Sequence, residues 1–312
     1  NGDPNNGDPN NGMGGLTAPA LPSTPGDHTL EVSWEAADRT VVVSVPASYV
    51  PETAAPLLVV LHGGGSDAVS FRDKRAGFVE GAAALGWISV FPEGTPQRDG
   101  DGRSWNAWDK PGTSADDVAF LDQLLDWLVA GLHVDVNRVY LAGFSNGAAM
   151  TQRFVAERPE RILGAFALSH TTRLVLPTMR QGLLCGDCME YCDPDACPLV
   201  VEGDTYDLPS PAGGVNLLVA RGGADETVCA SSGCSNKRQA HATAEEQRQF
   251  WIEGMGCDAE PVVDEERPRG VTRKRYEGCD GDTVFQAIFD LDLDHTWPDE
   301  YDAPALMFLN SL

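Results

Sequence analysis

Three side chains far apart in this chain are of the types that catalyse acyl transfer when they meet. They are Ser145, Asp225 and His295. A serine hydroxyl is a weak nucleophile until a base takes its proton, and the base needs an acid to orient it. Ser145 lies in Gly143-Phe144-Ser145-Asn146-Gly147, a G-x-S-x-G pattern. In a chain with 33 glycines the pattern alone is weak, and its context decides. The apolar run "RVYLA" precedes it and "NGAAMTQRF" follows, as a strand, a sharp turn and a helix require. The hydroxyl then stands above a sheet at a helix N-terminus, with the Asn146 N–H aimed at a developing oxyanion.

The base follows the acid in chain order when serine sits on such a turn. His241 opens a helical stretch and suits an exposed face, whereas His295 follows the strand-like "TVFQAIFDL" in the loop "DLDHTWP". Asp225 ends "VNLLVARGGAD", just past a late strand, with Glu226, Asp292 and Asp294 as rivals. Asp292 and Asp294 are too near His295 in sequence to orient it well. The run His62-Gly63-Gly64-Gly65 offers backbone N–H groups without side chains in the way, and Gly64 is the expected second oxyanion donor. His62 itself is counted as substrate-binding.

These residues need a frame, and the chain supplies an alternation. "HTLEVSW" and "RTVVVSVP" read as an antiparallel opening pair. "PLLVVLHGGG", "WISVFPEG", "NRVYLAGFS", "ILGAFALS", "GVNLLVARGGAD" and "TVFQAIFDL" read as buried strands. Helical stretches fall at 67–85, "ADDVAFLDQLLDWLVAGL" (N-cap Ser114 or Asp116), "NGAAMTQRFVAERP", "AEEQRQFWIEGMG" and from about Ala303. This predicts an α/β fold with a mostly parallel central sheet and helices on both faces.

Composition narrows the partners. With 47 acidic against 22 basic residues, the formal net charge is −25. Such a surface repels phosphate backbones, so nucleic acid is not an expected partner. No apolar run approaches the ~20 residues of a transmembrane helix. Residues 1–15 repeat NGDPN in tandem, and a disordered tether is expected over 1–27, ahead of one catalytic domain over 28–312. The chain begins at Asn1 rather than Met, and a removed leader and a cell-surface attachment fit that start. All eight cysteines lie between Cys185 and Cys279, which suggests local disulfides and a secreted protein. Cys185, Cys188, Cys192 and Cys197 lie in an insertion at about 180–212, where four thiolates could hold zinc or form two disulfides in a lid. The lid fits secretion better. Cys229 with Cys234, and Cys257 with Cys279, are the remaining expected pairs.

The segments "LHGGG", "FPEG", "SWNAW", "DDVAFLDQLLDWL", "VDVNRVYLAGFSNGAAMTQRF", "GGAD" and "DHTWP" occur in an order that resembles secreted esterases of the polyhydroxybutyrate depolymerase type. These are related to the feruloyl and acetylxylan esterases of carbohydrate esterase family one. The resemblance runs from about Leu57 to Pro298. It implies an α/β-hydrolase fold, a Ser145–Asp225–His295 triad, and no metal or organic cofactor. It also implies cleft aromatics at Trp105 and Trp297. The expected substrate is a polyhydroxyalkanoate, with a feruloyl or acetylxylan ester as the alternative and an aromatic polyester further off. A non-catalytic surface-binding module is the rival of another class. The chain departs from the family in having "LDLD" ahead of His295 and in the cysteine insertion, both where substrate enters.

The carboxylate excess carries a prediction. Self-repulsion is screened by salt, whose reach falls to ~8 Å at ~0.15 M. The melting temperature should therefore rise with NaCl toward molar levels, and a flat or falling curve by scanning calorimetry would refute the repulsion argument.

Overall fold

The computed structural model describes residues 15–35, 37–97, 102–108, 115–177, 203–211, 213–228, 235–236 and 239–312. The main sheet is built from β1 (Gly26–Trp34), β2 (Ala37–Val45), β3 (Ala55–Leu61), β4 (Ile88–Pro92), β5 (Val134–Phe144), β6 (Gly164–Leu168), β7 (Asn216–Gly222), β8 (Val263–Arg267), β9 (Val271–Tyr276) and β10 (Phe285–Asp290). Their spatial order is β1-β2-β4-β3-β5-β6-β7-β10-β9-β8. From β4 to β10 the neighbours run parallel. Antiparallel hairpins close the two edges.

β3 and β6 are apolar throughout, as is β5 from Val139 to Ala142, because both faces are covered there. Along β3, Leu57, Val59 and Leu61 face one core while Leu58 and Val60 face the other. The first core is capped by α3 (Asp117–Gly131), α4 (Asn146–Glu157) and α5 (Ala244–Gly254). The second is capped by α1 (Ala68–Lys74), α2 (Ala76–Ala84) and α6 (Asp302–Asn310). Local chemistry starts these helices. The Asp116 carboxylate accepts from the Ala119 N–H at 3.0 Å, and Thr243 and Glu246 form a capping box on α5.

Three features differ from the sequence expectation. The stretch 67–85 is two helices, parted at Arg75, whose φ of −106° and ψ of 28° leave the helical region. The hairpin β8–β9 carries no apolar alternation to announce it. It is an edge, and charged cross-strand pairs hold it: Glu265 with Arg273 and Asp264 with Lys274, each at 2.9 Å. The tether does not run to residue 27. Thr17 bridges Ser33 on β1, Trp127 donates to the Pro19 carbonyl at 3.1 Å, and Leu16, Ala18 and Leu21 pack on the core. Leu21 fits there because Gly131 has no side chain; a Cβ would meet it at 2.6 Å. The prolines and small residues of this stretch disguise its packing role. Residues 1–14 lie outside the described residues, as do Cys185, Cys188, Cys192, Cys197, Cys229 and Cys234.

Cys257 and Cys279 are joined in a disulfide with a sequence separation of 22. It ties the chain just past α5 to the turn ahead of β10. Closing a loop of that length in the unfolded chain is worth about 3 kcal/mol. The double substitution Cys257→Ser, Cys279→Ser should lower unfolding free energy by about that amount in urea titrations. A change below ~1 kcal/mol would mean that the cross-link does not constrain the unfolded chain as the loop-entropy account requires.

Candidate active site

Ser145 sits between β5 and α4 with φ 52° and ψ −124°, a left-handed conformation that a side chain rarely adopts. The turn is held by close packing. A Cβ on Gly143 would come within 2.4 Å of the Gly147 carbonyl oxygen and the Thr151 hydroxyl. A Cβ on Gly147 would come within 2.3 Å of the Leu61 carbonyl oxygen and 2.5 Å of that of His62. The Ser145 N–H donates to the Leu168 carbonyl at 2.9 Å, which anchors the turn to β6.

Asp225 and His295 arrive from the neighbouring parallel strands β7 and β10. Asp225 is 2% exposed, and one carboxylate oxygen accepts from the Thr227 and Val228 N–H groups at 2.9 and 2.7 Å. Its other oxygen lies 2.8 Å from His295 Nδ1, and His295 Nε2 lies 2.8 Å from Ser145 Oγ. With Nδ1–H donating to the carboxylate, the free lone pair of Nε2 faces the serine hydroxyl. The loop carrying His295 crosses close over β7: a Cβ on Gly222 would stand 2.0 Å from the Leu293 carbonyl oxygen. None of the rival carboxylates is the partner of His295 Nδ1, which meets Asp225. Asp294 accepts from the Thr296 hydroxyl at 2.6 Å, and Asp292 donates its N–H to Asp290.

Gly64 and Asn146 are neighbours across the site, since a Cβ on Gly64 would lie 3.6 Å from that of Asn146. Asn146 and Gly65, the residue after Gly64, are tied to the segment 102–106. Gly65 donates to the Arg103 carbonyl at 2.8 Å. The Asn146 side-chain oxygen accepts from the Ser104 hydroxyl at 3.0 Å and the Trp105 N–H at 2.6 Å, and its amide donates to the Trp105 carbonyl at 3.1 Å. Asp117 receives the Asn106 N–H at 2.6 Å and pairs with the buried Arg39 at 2.6 Å. Nothing in the sequence marks Arg39 and Asp117 as partners, because they are brought together only by the fold.

The three residues read as substrate-binding are placed differently. His62 is 1% exposed; its Nδ1–H donates to the Gly63 carbonyl at 2.8 Å and its Nε2 accepts the Gly94 N–H at 3.0 Å. Its ring nitrogens thus brace "LHGGG" against "FPEG". Trp105 is 3% exposed, rests on His62 and Phe120, and donates to the His62 carbonyl at 3.1 Å. Trp297 is packed among Phe71, Phe78 and Phe166, and donates to Asp302 at 2.9 Å. All three support the walls from behind. A sequence motif shows that an aromatic is present, and only packing shows which way it faces. A hollow of about 450 Å³ lined by Val219, Thr243, Arg248, Lys274 and Phe289 includes none of Ser145, Asp225 or His295, and we place the site at the three that meet.

Family comparison agrees with this frame. Residues 44–235 match the family model described as esterase PHB depolymerase. The chain belongs to that family. It is 30% identical over 133 residues to a bifunctional acetylxylan esterase/xylanase of Neocallimastix patriciarum, covering 43% of this chain and 18% of that protein. It is 26% identical over 249 residues to feruloyl esterase B of Piromyces equi, covering 78% of this chain and 40% of that protein. The chain thus spans less than half the length of these curated relatives. Among solved structures, an acetyl xylan esterase from Aspergillus awamori superposes with TM-score 0.57 at 16% identity, covering 95% of this chain and 99% of that one. The shared architecture is the α/β-hydrolase fold.

Burial pulls the His62 pKa from its ordinary value near 6.5 down to about 4, so the fold prefers the neutral ring. The unfolded chain takes up the proton first. Stability is therefore intact above about pH 6.5 and is lost as pH falls toward 4, by on the order of 3 kcal/mol from this group. Urea midpoints for His62→Gln should decline less steeply over that window than those of the wild type. Equal slopes would show that His62 does not contribute.

Proposed function

We propose that the chain is a serine hydrolase of carboxylic esters and that Ser145, His295 and Asp225 carry the reaction. The observation that supports this reading is the continuous chain of two 2.8 Å contacts from Ser145 Oγ through His295 to Asp225, at the carboxyl ends of three parallel strands. His295 takes the hydroxyl proton as Ser145 attacks the ester carbonyl. The Gly64 and Asn146 N–H groups receive the negative charge on the oxyanion. His295 returns the proton to the leaving alcohol, and water then hydrolyses the acyl-enzyme by the same route reversed. Asp225 holds the imidazole and balances its transient positive charge.

For substrate, the family model supports a polyhydroxyalkanoate of the hydroxybutyrate type. The likeness to an acetylxylan esterase/xylanase and to a feruloyl esterase supports the second reading, a feruloyl or acetyl ester on plant polysaccharide. Both are uncharged, which suits a chain of net charge −25. The Cys257–Cys279 disulfide supports an oxidising compartment, and hence secretion. Among the described residues no helix is long and apolar enough to cross a membrane.

Ser145→Ala and His295→Ala should each reduce kcat on a p-nitrophenyl ester by several orders of magnitude while circular dichroism stays unchanged. Asp225→Asn should be severe but milder than Ser145→Ala. Near-silent Asp225→Asn would refute the acid assignment. Rates on hydroxybutyrate film, methyl ferulate and acetylated xylan then separate the two substrate readings.

A further inference from the structure

His170 lies two residues beyond β6, between the ends of the strands that carry Ser145 and Asp225. Leu168 accepts the Ser145 N–H, and the intervening Ser169 donates to Ala220 on β7 at 2.9 Å. Ser169 has φ 59°, so the chain turns sharply here. The imidazole is only 9% exposed. The Thr171 N–H donates to its Nδ1 at 2.8 Å, which forces the proton onto Nε2. No described residue accepts from that Nε2–H. Nε2 is not among the fully buried polar atoms that lack a partner, so this donor is reached from outside, and at the carboxyl edge of an open α/β sheet the partner to look for is a ligand.

The surroundings are built rather than incidental. Trp108 packs against the His170 ring at 5.5 Å and His241 at 6.2 Å. From below, Gln247 donates to the His170 carbonyl at 3.0 Å and also to the Gln152 side chain. The buried Arg221 donates to Gln247 at 3.0 Å. Burial first, then the neighbouring His241 and Arg221, hold the ring neutral. The neutral ring supplies no charge to offset the desolvation of a carboxylate or phosphate, and a chain of net charge −25 repels anions, so an uncharged oxygen is the fitting partner.

We propose that His170 is a specificity-determining residue that donates from Nε2 to an uncharged oxygen of the ester substrate close to the scissile carbonyl. The oxygen is a hydroxyl or carbonyl on the acyl part, as in a hydroxyacid oligomer, or a hydroxyl on the alcohol part, as in a sugar ester. The proposal rests on Ser145 being the nucleophile.

The test compares kcat/KM for three butyrate-sized esters: p-nitrophenyl butyrate, p-nitrophenyl 3-hydroxybutyrate and the butyryl ester of a methyl xyloside. In His170→Phe, the ratio of one oxygen-bearing ester to plain butyrate should fall about tenfold, the upper worth of one neutral hydrogen bond. The arm that falls names the side of the substrate being read. His170→Asn, which keeps a donor, should recover part of the ratio and guards against misfolding of the Phe variant. Unchanged ratios in both arms would overturn the proposal. Fluorophosphonate labelling of the wild type runs alongside. Absence of labelling at Ser145 overturns the nucleophile reading and this one together, whereas labelling with unchanged ratios overturns this one alone.

Discussion

The site depends on one steric constraint, the contact of the Ser145 turn with the end of β3. Ser145 is held at a positive φ that costs of order 1–3 kcal/mol in an unconstrained chain. It persists because Gly147 lies directly on the carbonyls of Leu61 and His62, and Gly143 lies on Gly147. Any side chain at either glycine would drive β5, α4 and β3 apart. The Ser145 turn and the glycine loop that follows β3 are therefore one packed unit, and neither can move without the other.

That unit is strapped from outside by residues 102–108. Asn146, the first residue of α4, makes three hydrogen bonds to Ser104 and Trp105. His62 reaches in the other direction to Gly94. Glu93 completes the clasp by meeting Arg103 at 3.3 Å. Beneath the strap, Arg39 from the edge hairpin is buried against Asp117 and over the Phe120 ring. A buried pair of this kind is poor evidence of net stability, but losing one partner strands the other in the core. It explains why an edge strand distant from Ser145 bears on the geometry of the site.

Asp225 and His295, the proposed acid and base, are positioned by a second set of contacts. β7 and β10 pair in parallel, and Gly222 lets the His295 loop lie across the end of β7. Trp297 pins the far side of that loop among three aromatic rings, while Arg75 donates to its carbonyl at 2.8 Å. The Cys257–Cys279 disulfide secures the turn at the start of β10. Serine and histidine are thus brought to 2.8 Å by two braced halves that meet at the sheet and where the Phe144 ring packs on His295.

Periodicity and chain order were enough to read much of this from the amino acids alone. Buried parallel strands are continuous apolar runs, and "PLLVVL" and "ILGAFAL" announce themselves because both faces are covered. Ser145, Asp225 and His295 were legible because each follows such a run and glycines mark the sharp turns. The hairpin β8–β9 was illegible because an edge strand held by charge pairs has no apolar face. Trp105, Trp297 and His62 were visible as motif residues but not as braces, because the direction of a side chain is set by neighbours tens or hundreds of residues away. The stretch 15–25 read as linker because its docking uses backbone hydrogen bonds and a glycine-sized gap on α3, neither of which leaves a local pattern. Local chemistry determined which segments are strands, turns and helices. Only the tertiary structure, through contacts between distant segments, decided which polar and aromatic groups face the site and which are spent in holding it.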